Sequence, residues 1–95
     1  MTELAFTRHA LEKLKILNIS PEYAYGLFIN SNKCSVSEQG WKRKQVLNHH
    51  QMGSQLYRNN DHIMVIKKNT SNEYVLITIY RVEDPTMLGN YKIKD

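Results

Sequence analysis

The spacing of hydrophobic positions changes near residue 33, and that change divides the chain into two kinds of structure. In "RHALEKLKIL", at about 100° per residue, Ala10, Leu14 and Leu17 gather with Leu11 into one apolar arc, while Glu12 and Lys15 lie opposite. Thr7 precedes the segment as an N-cap, its hydroxyl placed to accept from a free amide of the first turn. Asn18 is suited to the left-handed conformation that ends a helix, and Ile19 follows where a hydrophobic contact locks the turn. Ser20-Pro21-Glu22 then supplies a cap, a preset φ at the first helical position and an acid at the positive end of a second helix dipole. Tyr23, Ala24, Leu27, Phe28 and Ile29 keep helical spacing, so this helix is expected to finish near Asn30 to Asn32. The pair reads as an αα-hairpin.

Beyond Lys33 the pattern turns to period two. "GWKRKQVL" from Gly40 is expected to form a strand with one solvent-facing side, "SQLYR" a short second strand, and "HIMVIKK" a third after the turn signal Asn59-Asn60-Asp61. "EYVLITIYRV" is the longest β-branched and aromatic run, with Val75, Ile77 and Ile79 expected on one face and Leu76, Thr78 and Tyr80 on the other. Leu4-Ala5-Phe6 is either a first strand or an extended arm, and the tail from Glu83, with Pro85 and Gly89, is expected to be loop. These elements predict an α+β fold, an N-terminal αα-hairpin packed on an antiparallel sheet of three to four strands.

With 95 residues the chain is expected to form a single domain, 1–95, with the helical hairpin at 7–32, the sheet at 40–82 and the tail at 83–95. Hydrophobic residues at 41% and charged residues at 23% suit a modest folded core rather than disorder. The single cysteine, Cys34, excludes an internal disulfide and has no partnering base beside it, so it reads as an inert thiol in a reducing compartment. The acidic and polar start "MTELAFTRH" is unlike a signal peptide, and no apolar run approaches the ~20 residues of a membrane span. A cytoplasmic protein is expected, without membrane contact. The formal charge of +4 favours acidic partners, RNA or an acidic protein, and a homodimer stays open as an alternative.

Candidate chemistry is spread along the chain. His9 and Lys13 share one side of the first helix near the border of its apolar arc, which lets the imidazole lean over the sheet as structural glue or as the start of a site. His49, His50 and His62 lack companions at ligand spacing, so neither a metal nor another cofactor is expected. Lys42, Arg43 and Lys44 beside Trp41, with Arg58, Lys67, Lys68 and Arg81, are basic material for phosphate contact, with Trp41, Tyr57 or Tyr80 as stacking surfaces. The same residues also suit a solvated, lysine-guarded sheet edge. Thr78 and Tyr80 share a face next to Arg81, so a phenol and a guanidinium can position a scissile phosphate, or Tyr80 can be a core aromatic with its hydroxyl at the rim.

His9-Ala10, Ile19-Ser20 and Ile77-Thr78-Ile79-Tyr80-Arg81 together resemble the domain-of-unknown-function 4258 family of small prokaryotic and phage-associated proteins. That family's pattern runs His-Ala, two variable residues, Arg-Met, two more, Arg-Gly-Ile-Ser, and later a strand of Ile-Thr-Val-Tyr type. The family is similar to the RelE, colicin and barnase-like ribonuclease toxins. The resemblance implies metal-independent RNA cleavage by 2′-hydroxyl attack, with His9 as base or acid, Tyr80 as a positioning or proton-donating group, and Lys13, Arg58 and Arg81 as phosphate binders. Lys13 and Leu17, however, stand where relatives carry arginines, so a bidentate fork is replaced by a point charge and then by nothing. Two functions therefore stay open, a non-catalytic binding protein, which the lost arginines favour, and a toxin-like endoribonuclease.

Overall fold

The computed structural model describes residues 2–36 and 54–94. Helix α1 (Arg8–Leu17) begins at Thr7, whose hydroxyl oxygen accepts from the Ala10 amide. It ends at Asn18 with φ 58°, where the amides of Asn18 and Ile19 donate to the carbonyls of Lys15 and Leu14 in a paired C-terminal motif. Helix α2 (Pro21–Ile29) starts immediately, with Ser20 accepting from the Tyr23 amide and Pro21 in the first turn. The helices follow the apolar spacing in part: Ala10, Leu14, Ala24, Leu27 and Phe28 are buried, whereas Leu11, expected in the apolar arc of α1, and Tyr23 and Ile29 of α2 are exposed.

The fold is α+β, but the sheet is larger than three or four antiparallel strands. Among the described residues six strands are ordered β1-β5-β4-β3-β2-β6, namely β1 (Glu3–Phe6), β2 (Asn32–Val36), β3 (Gln55–Asn59), β4 (His62–Lys68), β5 (Glu73–Arg81) and β6 (Tyr91–Ile93). The Leu4-Ala5-Phe6 segment is a strand and runs parallel to β5, Phe6 opposite Leu76, so the sheet is mixed. Asn32, expected at the end of the second helix, instead opens β2, which pairs with both β3 and β6. The tail is not loop: it carries a one-turn helix α3 (Pro85–Leu88), capped by Asp84, and then the edge strand β6. The strand expected from Gly40 to Leu47 lies outside the described residues.

A β-bulge reorganises the faces of β5. Thr78 pairs with Val65 and Leu76 with Ile66, which leaves Ile77 as an extra residue. Side-chain alternation resets there. Leu76 and Ile79, expected on opposite faces, both pack under the helices with Met64, Ile66, Leu14 and Phe28, while Ile77 and Tyr80 pack on the reverse face. Each fully buried Leu, Ile or Met in these layers contributes about 1.5–3 kcal/mol.

The reverse face holds Cys34, Leu56, Ile63, Val65, Val82 and Tyr91, with Met87 and Leu88 of α3 packed against them. Tyr80 and Tyr91 come from strands separated by three others in the sheet, yet their ring centroids lie 6.2 Å apart. The sheet therefore curls, concave on this side and convex towards the helices.

Thr7 ties the helical layer to the bulge: its hydroxyl donates to the Ile77 carbonyl at 2.9 Å and its amide donates to Leu76. Thr7→Ala is expected to lower unfolding free energy by about 1–2 kcal/mol, from loss of the cap and of the acceptor's partner. Thr7→Ser is expected to keep most of it, as measured by urea denaturation.

Candidate functional site

His9, expected to lean over the sheet, is exposed and makes no hydrogen bond or ion pair among the described residues. The helix itself explains this, because Ala10 and Leu14 define the buried stripe and His9 is one residue, about 100°, away from Ala10. Lys13, four residues on, is half-buried at the flank of the same helix.

Tyr80 faces the other way. It pairs with Ile63, a reverse-face residue, and its hydroxyl lies 3.1 Å from that of Tyr91, so the sheet stands between His9 and Tyr80. Arg58 also serves the fold: its guanidinium donates to the carbonyls of Asn60 at 2.8 Å and Tyr91 at 2.9 Å, fastening the β3–β4 turn and β6. Trp41, Lys42, Arg43 and Lys44 lie outside the described residues.

Arg81 does acquire chemical neighbours. It pairs with His62 in register, its Nε donates to Asp61 Oδ2 at 2.7 Å, and His62 Nδ1 lies 3.0 Å from Asp61 Oδ1. The hydrogen bond from Arg81 holds the Asp61 carboxyl below its usual range, against a smaller opposing push from burial. This cluster borders an open groove of about 570 Å³ between α2 and the β3–β4 turn, lined also by Glu22, Tyr23, Asn59 and Asn60. Asp61 neutralises Arg81 and orients His62, so the groove offers polar contacts without an unpaired guanidinium.

A different basic surface forms on the convex face: it takes Lys68 and Tyr57 from the residues expected to meet phosphates and bases, and adds Lys33, Lys92 and Lys94, which the sequence reading did not include. Phe28 packs edge-on against Tyr57 at 5.2 Å and against Tyr74 at 5.2 Å, and these three rings line a shallow groove with Ser31 and Lys33. Lys68 Nζ sits 5.9 Å from the centre of the Tyr74 ring. Burial first, and the neighbouring Tyr74 second, push the Tyr57 phenol above its ordinary range. Beyond Lys33, β6 adds Lys94, whose ammonium donates to Gln55, and Lys92, which pairs with Ser35 and alternates onto the same face. The alternation "YKIK", in which Tyr91 and Ile93 alternate with Lys92 and Lys94, was the readable signal for this edge strand.

Cys34 is fully buried on the reverse face, and burial pushes its thiol up to about 11, outweighing the opposing charges of Arg58 and Lys94. Among the described residues no three His, Cys, Asp or Glu side chains gather to hold a metal ion, and no helix is long and apolar enough to cross a membrane.

Relative to a thiol with the ordinary value of 9.0, the Cys34 shift reduces thiolate on the order of a hundredfold near pH 8. Ellman's reagent is therefore expected to label the native protein at least that slowly and the urea-unfolded protein at once. For Asp61 the folded value lies below the ordinary 3.8, so its contribution is present above that pH and disappears as pH falls through the folded value. Asp61→Ala is expected to show a slightly lower urea midpoint than the parent at pH 7, with the gap closing as pH falls below 3.8. No protein-family model, curated protein or solved structure matches this chain.

Proposed function

We propose that this chain is a small, non-catalytic binding protein of toxin-like α+β architecture, working in the cytoplasm on an anionic macromolecular partner. The likeness to domain-of-unknown-function 4258 proteins, prokaryotic or phage-borne, is part of the same proposal. The observation that carries it is the dispersal of the three groups a toxin-like nuclease would need together. His9 faces solvent on the helical side, Tyr80 is bonded to Tyr91 on the reverse side, and Arg81 is occupied by Asp61. General acid–base cleavage needs base, acid and cation within hydrogen-bond reach of one phosphate. A helical-face imidazole and a reverse-face phenol do not meet that condition.

One contact favours the alternative, a metal-independent endoribonuclease acting through the 2′-hydroxyl. Asp61 sets the His62 imidazole beside Arg81, an oriented base next to a cation. The two readings separate on a gel. Purified protein incubated with structured and unstructured RNA in EDTA is expected to leave the RNA intact, and expression is expected to be tolerated by the host. Cleavage by the parent protein that disappears in His62→Ala or His9→Ala would overturn the binding reading in favour of the nuclease.

A further inference from the structure

The convex groove beside β2 and β6 combines three features that the rest of the described surface does not bring together. The first is charge. Lys33 lines the groove, Lys68 reaches over Tyr74, and Lys92 and Lys94 extend the same face along the sheet edge. Among the described residues no carboxylate lines it. Glu3 and Glu73 pair with each other on β1 and β5 and, by alternation from Leu4 and Tyr74, face the reverse side. Asp61 sits in the β3–β4 turn, and Glu83 and Asp84 stand between β5 and α3.

The second feature is aromatic. Tyr57 and Tyr74 are only half-buried, and Phe28 packs against both rings. The third is polar: neither hydroxyl has a hydrogen-bond partner among the described residues, although both rings line the groove. A partly desolvated phenol without a partner gains from a ligand that accepts from it.

A ligand suited to all three must carry regularly spaced negative charge, flat apolar faces and acceptor oxygens. An acidic peptide supplies the charge and acceptors but not the faces, and a duplex keeps its bases stacked away from the tyrosines. We propose that the groove bounded by Lys33, Tyr57, Tyr74 and Lys68, continued by Lys92 and Lys94, binds single-stranded nucleic acid. The lysines meet phosphates along the edge and the tyrosine rims take an unstacked base. This rests on the binding-protein reading and names the ligand class for it.

Binding of a fluorescein-labelled twelve-residue oligouridylate, followed by anisotropy, tests the assignment. Each neutralised phosphate of a single strand contributes about −0.7 to the log–log salt slope, so four lysines predict a slope of about −3 between 50 and 200 mM salt. Lys33→Glu with Lys92→Glu is expected to weaken binding on the order of tenfold and flatten the slope. Arg8→Glu with Lys15→Glu makes the same change in net charge away from the groove and is expected to stay within about twofold. A duplex of equal length is expected to bind more weakly. Equal losses in the two double variants, or equal affinity for the duplex, would overturn this site while leaving the binding reading in place. So would capture of a polyglutamate peptide but not the oligonucleotide. Failure of the binding reading itself shows separately, as scission of the oligonucleotide on a denaturing gel.

Discussion

The bond from the Thr7 hydroxyl to the Ile77 carbonyl is the constraint on which the arrangement of this protein turns. One side chain ends β1, caps α1 and satisfies the carbonyl at the point where β5 slips by a residue. The bulge decides which β5 side chains meet the helices, and the cap decides where the helical layer begins over them. Leu76 and Ile79 meet under the helices because the slip falls between them. Loss of either partner leaves a polar group to find another bond at the junction of both layers.

The same slip explains why the expected catalytic groups do not converge. With alternation reset at Ile77, Tyr80 turns to the concave face, where Tyr91 receives it, while Arg81 returns to the helical side and finds Asp61. His9 is left on solvent by its own helix, since Ala10 and Leu14 set the buried stripe. A sheet whose two faces are both packed with apolar side chains, Met64 and Ile66 above and Ile63 and Val65 below, cannot share a polar site across its thickness.

Local chemistry was legible in the sequence where a single residue type dictates a conformation. Thr7, Ser20 and Pro21 marked helix starts, Asn18 a left-handed stop at φ 58°, and Asn60 a turn at φ 54°. β4 and β5 lay where their β-branched runs placed them, and β3 lay at the expected "SQLYR" segment. What escaped was non-local. The parallel partner of β1 lies across the chain, a bulge leaves no mark in a run as uniformly β-forming as "VLITIY", and β2 hid behind asparagines that also suit a helix end. The convex lysine groove escaped for the same reason, because Lys33, Lys68 and Lys92 come together only when β2 bridges β3 and β6. Candidate residues chosen by resemblance carried chemistry but no geometry.

Both outer strands of the sheet come from the ends of the described chain, β1 beside β5 and β6 beside β2, whereas β3, β4 and β5 follow one another as a meander. Pairings between distant residues form late, because loop closure must be completed before they contribute. The central meander is thus the natural nucleus, and the flanks dock onto it. Among the described residues, the strand that covers the outer rim of β2 is β6, so during synthesis that pairing waits until residues 91–93 emerge, an interval in which the amides and carbonyls of β2 can template another extended chain. The alternating lysines of β6 then close that rim with a strand whose own outer side repels further growth.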